Sequence, residues 1–347
     1  MRVSIVNVQA PFVRGGAEYL ADSLAARIVA RGHQVDLVRL PFKWYPPQAI
    51  ADHMLACRLM NVNCAQADLT IAFKFPAYLA PGVNKRLWLL HQFRQVYELW
   101  GTEMSGMPDT AANRSLREMI IQADNEHLRE AQAIYTNSHI VAGRLKQFNG
   151  IEATDVLYPP LDRPELFGLG EYGDYFFYPS RMTAAKRQHI AIEAMCHVRS
   201  PFKLVLAGRP DSEEYGLTLD RLIAKHRLED RVVRLGWISE EEKARWMNGA
   251  LAAVYLPFDE DSYGYVTLEA FHAHKAVLSF TDSGGVNELV VHNCNGRLLD
   301  PTPTSLAAAM EDLWSNRSLA RDMGNAAHQT LKHHRIDWDH ILDTLLG

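Results

Sequence analysis

The stretch LDRPELFGLGEYGDYFFYPSR, residues 161 to 181, decides the fold. Up to Asp174 it holds a proline, three glycines and scattered acids, the composition of a linker. From Tyr175 on it turns into a short aromatic run that reads as a buried strand. An alternation of strands and helices that runs out before residue 161 therefore begins again after residue 174.

Toward the amino terminus, RVSIVNV (2–8) is β-branched and apolar on both faces, as a buried parallel strand must be. A glycine-containing loop, APFVRGGAE, follows it. In the next segment Leu20, Leu24, Ile28 and Val29 recur at helical spacing, and Gly32 stands where that helix stops. QVDLVRL, DLTIAFKF, RLWLLHQ, AIYTNS and DVLYPP are the further strands of this half. Toward the carboxyl terminus the strands are YFFYPS, FKLVLAG, RVVRLGW, LAAVYLPF, KAVLSFT and NGRLLD. Helical patterns lie between them, and one opens with Ser239 and Glu242 in a capping-box relation. Two rounds of alternation predict two doubly wound α/β domains, 1–163 and 164–335. Residues 336–347 read as a terminal helix that crosses back to the first domain. Ligands of such sheets bind beyond the carboxyl ends of the strands, so a cleft between two facing edges is the expected site.

Bulk composition narrows the function. The chain has 347 residues, 48% of them hydrophobic, and a formal charge of -5, which leaves no electrostatic footprint for nucleic acid. The opening MRVSIVNVQAPF is too short for a signal-peptide core. No stretch approaches the roughly 20 apolar residues of a membrane helix. The expectation is a cytoplasmic protein, with peripheral contact at the inner membrane face as the alternative. Cys57, Cys64, Cys196 and Cys294 form no C-x-x-C pair, so reduced thiols are expected rather than a zinc site or disulfides.

The residues that follow strands carry the chemistry. RGGAE (14–18) lets the backbone approach a ligand and offers helix N–H groups to an anion, but it is not the G-x-G-x-x-G of dinucleotide binding. His91 closes RLWLLH. Arg181 follows a strand, and Lys186 and Arg187 fall near the start of a helix, where cations make sense beside a strong anion; an Arg fork plus a Lys point charge suits a pyrophosphate. In DSYGYVTLEAF (261–271), Gly264 lets the loop pass close to a ligand. The amides of Gly264, Tyr265 and Val266 are expected to point at a phosphate, and Asp261 and Glu269 bracket them as expected acceptors for hydroxyls. Ribose diol, pyrophosphate and sugar hydroxyls have that layout in a nucleoside-diphosphate sugar. DED (259–261) also matches a short metal-binding pattern, though no metal is expected from it.

Together these residues resemble the retaining GT-B glycosyltransferases, in particular glycosyltransferase family 4. The resemblance covers most of the chain and is strongest from about 178 to 300. Arg181 and Lys186 are similar to that family's pyrophosphate pair, and DSYGYVTLEA to its E-x7-E motif. FTDSGGVNELVVHNCNGRLLDP is similar to the segment that follows the motif, GGAE (15–18) to the amino-terminal glycine loop, and His91 to the histidine near the anomeric carbon. One departure stands out: the first Glu of E-x7-E is Asp261 here, one methylene shorter, and Glu260 beside it would give x8.

The resemblance implies a GT-B fold of two Rossmann-like domains and a metal-independent, retaining transfer of a sugar to an acceptor hydroxyl. The donor is a UDP- or GDP-sugar, bound as substrate with no cofactor; the acceptor is a glycan, a lipid or a small molecule. His91, Arg181, Lys186 and Asp261 take catalytic roles. Gly15, Gly16, Gly264, Tyr265, Val266 and Glu269 join the two cations in holding the donor, with Glu269 on the ribose. A nucleotide-sugar epimerase or hydrolase and a non-catalytic nucleotide-sugar-binding protein are the rival readings. Residues 91 to 107 are the expected acceptor wall, and GWIS (236–239) is expected near the donor base.

Overall fold

The structure is a computed structural model that describes residues 1–13, 15–60, 66–260 and 262–347. Arg14, Cys64 and the candidate Asp261 lie outside the described residues. The chain divides into two compact units. Met1–Asp162 and Asp337–Gly347 make the first, and Arg163–Ile336 the second.

Unit 1 is built on β1 (Arg2–Gln9), β2 (Gln34–Pro41), β3 (Leu69–Ala72), β4 (Arg86–Leu89), β5 (Ala133–Thr136) and β6 (Asp155–Val156). Their order is β2-β1-β3-β4-β5-β6, and every pairing is parallel. Side chains alternate across a strand, and β1 sorts its residues accordingly. Val3 and Ile5 pack with Leu20, Leu24 and Ile28 of the helix Gly16–Ala30 and with Trp338, Ile341 and Leu342 of the last helix. Val6 and Val8 face the other core with Ile50, Met54, Ile120 and Leu145. Each such aliphatic side chain contributes about 1.5–3 kcal/mol when fully buried.

The terminal helix Trp338–Leu346 is held to unit 1 by more than apolar contact. Trp338 donates from Nε1 to Leu161 O at 2.8 Å and meets Trp88 edge to face at 6.4 Å. Arg86 donates to Leu345 O at 2.8 Å, a cation on the carbonyls of a helix end.

Unit 2 is built on β7 (Tyr175–Pro179), β8 (Lys203–Ala207), β9 (Val232–Gly236), β10 (Ala252–Val254), β11 (Val277–Phe280) and β12 (Gly296–Leu299). The order β12-β11-β10-β7-β8-β9 is the 3-2-1-4-5-6 order of a Rossmann sheet when read within the unit, again wholly parallel.

The glycine-rich stretch before β7 is packed rather than free. Gly168 N–H donates to Asn248 Oδ1 at 3.0 Å, and a Cβ on Gly170 would stand 2.3 Å from Asn248 O. Lys275, fully buried, donates to Glu171 O at 2.9 Å and lies 3.7 Å over the Tyr172 ring. The small residues there serve close approach as well as turning. No helix among the described residues is long and apolar enough to cross a membrane.

Candidate active site

An open parallel sheet binds its ligand where the strand order reverses. In unit 2 that point lies between β7 and β10, and in unit 1 between β1 and β3. The side chains that leave these four strands define the candidate sites.

After β7 the chain runs Ser180, Arg181, Met182, Thr183 and then a single 3-10 turn, Ala184–Lys186. The Thr183 hydroxyl accepts from Lys186 N–H at 3.1 Å and sets that turn. Arg187 then takes a left-handed conformation, φ 56°, and the helix begins only at Gln188. The two neighbouring cations are thereby sent to different places. Arg187 is buried and donates to Asp282 through both terminal nitrogens at 2.7 and 2.8 Å. It also donates to the carbonyls of Leu256 and Pro257 at 2.8 and 2.6 Å. Arg187 is thus a brace for the end of β10 and not part of an anion clamp, contrary to what its place beside Lys186 suggests.

Lys186 points at the opposite side of the switch. Its Nζ donates to Tyr255 Oη at 2.8 Å and is ion-paired with Glu260. Arg181 is exposed and makes no ion pair among the described residues. It lies near enough to oppose the upward push that burial and the Glu260 carboxylate give the Tyr255 hydroxyl, which sits well above the usual tyrosine range.

After β10 comes the loop that carries Glu260 and Gly264. Glu260 is fastened through its backbone: it pairs as a parallel bridge with Gly284, and its carbonyl accepts from Gly285 N–H at 2.8 Å. A Cβ on Gly284 would stand 2.4 Å from Glu260 O, so the Gly-Gly of SGGVNE is what lets the two loops touch. Gly264 has φ +69°, and a Cβ there would lie 2.4 Å from Cε1 of Tyr255. The helix Tyr265–His272 starts on this glycine, which has no side chain to cap it. Tyr265 and Val266 stand in its first turn, where N–H groups are directed outward.

Glu269 lies on that helix and is buried, not turned outward. One oxygen accepts from Lys243 Nζ at 2.6 Å, and the other, Oε2, is buried with no hydrogen-bond partner among the described residues. Burial pushes the carboxyl above its ordinary value against the pull of Lys243. Lys243 itself is held above the usual range because Glu269 and Glu240 outweigh its own desolvation. Lys243 escaped the sequence reading, since its only signal there is the capping segment SEEEK, and its partner is on another helix.

In unit 1 the helix after β1 begins at Gly16, but the Gly15 N–H is already used: it donates to Glu18 Oε2 at 2.8 Å. The other Glu18 oxygen accepts from Lys74 Nζ at 2.9 Å, and Lys74 leaves β3. Burial raises the Glu18 carboxyl, yet Lys74 and the Gly15 amide together hold it below its ordinary value. His91 is half-buried, two residues past the end of β4, with Nδ1 2.7 Å from Gln92 O.

The expected acceptor wall, 91 to 107, is a set of packed turns. Val96 and Tyr97 are buried, Arg94 pairs with Glu98 at 2.5 Å, and Arg117 donates to Val96 O at 2.8 Å. In the segment expected near the donor base, Trp237 is exposed and lies under Arg209 at 5.9 Å. Unit 2 thus brings Arg181, Lys186, Gly264, Tyr265, Val266 and Glu269 to one switch point. Gly15, Gly16 and His91 belong to unit 1.

Residues 167–330 match the family described as glycosyl transferases group 1. A D-inositol 3-phosphate glycosyltransferase of Pseudarthrobacter chlorophenolicus is 26% identical over 160 residues, 44% of this chain. The match spans only 37% of that relative's length. Among solved structures, sucrose-phosphate synthase from Thermosynechococcus elongatus superposes with a TM-score of 0.77 at 16% identity, covering 99% of this chain and 97% of that one. Anabaena HepE in complex with UDP and glucose gives 0.72 at 18% identity, with 99% of each chain covered. WaaG, a glycosyltransferase involved in lipopolysaccharide biosynthesis, gives 0.74 at 15% identity over the whole of both chains, 100% of each. These likenesses show the fold, two Rossmann-like domains of the GT-B type.

Proposed function

We propose that this chain, which carries a group 1 glycosyltransferase domain on a GT-B frame, transfers a sugar from a nucleoside-diphosphate sugar to an acceptor hydroxyl with retention of anomeric configuration. The observation that carries the donor assignment is Oε2 of Glu269, a buried carboxylate oxygen without a partner. Leaving such an oxygen unpaired costs about 1–3 kcal/mol or more for a charged group. A vicinal diol supplies the missing O–H bond, and a ribose is the diol that a nucleotide brings.

Arg181, Lys186 and the first amides of the helix Tyr265–His272 then face the diphosphate. As the bond from the anomeric carbon to the leaving phosphate breaks, negative charge grows on that phosphate. Preorganised donors stabilise it, each worth about 3 kcal/mol. Side-chain cations in that role make the reaction independent of a metal, so activity persists in excess chelator. A phosphate oxygen of the departing diphosphate takes the acceptor's proton. Asp261 grips the sugar's hydroxyls, and His91 orients the sugar; Gly15 and Gly16 keep backbone roles near the diphosphate. These unit 1 roles rest on the resemblance, and a free Gly15 amide requires that Glu18 let go of it. The donor is proposed as a UDP- or GDP-sugar, UDP being what HepE holds.

A panel of UDP- and GDP-sugars, with and without candidate acceptors, tests the reading. Acceptor-dependent release of nucleotide is expected, with the product's anomeric coupling constant matching the donor's. Release without acceptor sinks transfer in favour of hydrolysis, and binding without turnover sinks it in favour of a binding protein.

A further inference from the structure

The cation that the proposed reaction needs is not free. Lys186 Nζ is ion-paired with Glu260, and both touch Tyr255, whose ring closes the space beneath Gly264. Arg181, the other cation, is exposed and makes no ion pair among the described residues. The two therefore start from different states: Arg181 is open to an arriving anion, and Lys186 is already neutralised.

The backbone of Glu260 cannot follow its side chain away. It is clamped by the bridge to Gly284, by Gly285 N–H at 2.8 Å, and by a contact so close that Gly284 admits no Cβ. The Glu260 side chain is 32% exposed, whereas that of Lys186 is 15% exposed. The carboxylate thus has more solvent to swing into than the lysine has.

We propose that Glu260 is a specificity-determining residue, a carboxylate that stands in for the donor's diphosphate on Lys186 and must be displaced by it. The inference rests on the reading of Lys186 as a diphosphate ligand. Binding-competent molecules are those in which Lys186 has been released, and the apparent affinity for a phosphate-bearing ligand is reduced by their fraction. A ligand with no phosphate does not compete for Lys186 and feels no such reduction. Glu260 therefore makes the site answer to the charged part of the donor and not to its base and ribose alone. Nothing in the E-x7-E spacing points to this residue, because that pattern selects Asp261.

Isothermal calorimetry on the full chain tests it, with UDP, GDP and inorganic pyrophosphate as anionic probes and uridine and guanosine as phosphate-free ones. Glu260→Gln keeps size and hydrogen-bonding shape but removes the charge. It is expected to tighten pyrophosphate and whichever of UDP and GDP binds by at least fivefold, and to leave the nucleosides within twofold. Glu260→Asp, whose shorter side chain draws back from Lys186, is expected to give an intermediate gain and serves if the first variant folds poorly. Unchanged or weaker anion binding in both variants overturns the proposal, as does equal tightening of the nucleosides. Lys186→Ala separates this failure from that of the underlying reading. If Lys186→Ala weakens anions while Glu260→Gln does nothing, only the stand-in role falls. If Lys186→Ala leaves anions untouched, or no anionic probe binds any form, the diphosphate assignment falls with it.

Discussion

Both sheets place a Lys–Glu pair at the point where strand order reverses, and the two pairs are built for different ends. In unit 1 Lys74, after β3, meets Glu18, which follows β1. In unit 2 Lys186, after β7, meets Glu260, which follows β10. Glu18 is held twice, by Lys74 and by the Gly15 amide, and its side chain is 8% exposed. The Glu260 carboxylate is held by the Lys186 ion pair and by a hydrogen bond with Tyr255, and its side chain is 32% exposed. A carboxylate shut away from water fixes a loop; one that faces solvent can be exchanged for another anion. The same two residue types at topologically matched positions thus give a brace in one unit and a displaceable contact in the other.

The largest expected effect sharpens that contrast directly. Lys186→Ala is expected to lower kcat/KM by about 100-fold, the loss of one preorganised donor at the leaving group. Lys74→Ala is expected to change kcat/KM less than fivefold and to cost stability instead, because Glu18 is left buried without its cation. Such an orphaned group costs about 1–3 kcal/mol. Steady-state kinetics and urea denaturation on both variants read the two quantities. Equal kinetic losses would erase the distinction between brace and clamp.

Next in size is a pair of glycine substitutions. Gly264 has φ +69° with Tyr255 2.4 Å from the position of a Cβ, whereas Gly15 has φ −133° and would meet only a movable carboxylate oxygen at 3.3 Å. Gly264→Ala is expected to destabilise unit 2 by about 2 kcal/mol, from the left-handed backbone and the clash together. Gly15→Ala is expected to stay within about 0.5 kcal/mol, as a substitution without strain does. Hydrogen exchange of the flanking helices resolves which unit loosens. A comparable loss at Gly15 would show that its loop is as tightly constrained as that of Gly264.

How much of this could be read from residues alone follows a physical divide. Strands buried on both faces must be continuous apolar runs, so the central strands stand out as RVSIVNV, YFFYPS and LAAVYLPF, whereas the edge strand QVDLVRL is only half-buried and keeps its polar residues. The positions of Arg181, Lys186, Gly264 and Glu269 follow from strand ends, which the same runs disclose. What spacing does not carry is partnership across the fold. Glu260 meets Lys186 over 74 residues of chain, and Lys243 meets Glu269 from a separate helix. Arg187 looks like a second clamp residue until its left-handed φ turns it inward onto Asp282. Gly15 looks like a free amide until Glu18, three residues on, reaches back to it. In each case a charged side chain with several candidate partners finds one that only tertiary packing supplies.

The smallest effect sets the two units against each other by pH. In unit 1 burial pushes the Asp124 carboxyl up to about 7, against the 2.7 Å hydrogen bond that Tyr97 donates to it and the pull of the Tyr78 hydroxyl. In unit 2 burial and the neighbouring His328 and His274 push His272 down to about 4. His274 lies stacked on His328 at 4.0 Å, with Lys332 adding positive charge near His328. The signs are opposite. Folded Asp124 keeps its proton up to about pH 7 while the unfolded chain releases it near 3.8, so acidification through that window stabilises unit 1. Folded His272 refuses a proton that the unfolded chain takes near 6.5, so acidification from there toward 4 destabilises unit 2. Between pH 7 and 6 each contribution is on the order of 1 kcal/mol, and in the intact protein the two oppose. Substitution separates them. Asp124→Asn removes the acid-side gain, so its melting temperature falls further than the wild type's between pH 7 and 6. His272→Gln removes the acid-side loss, so its melting temperature falls less or rises. Melting curves of the three forms at the two pH values decide the matter, and shifts of the same direction in both variants would mean that at least one of these two burials does not control protonation as its surroundings imply.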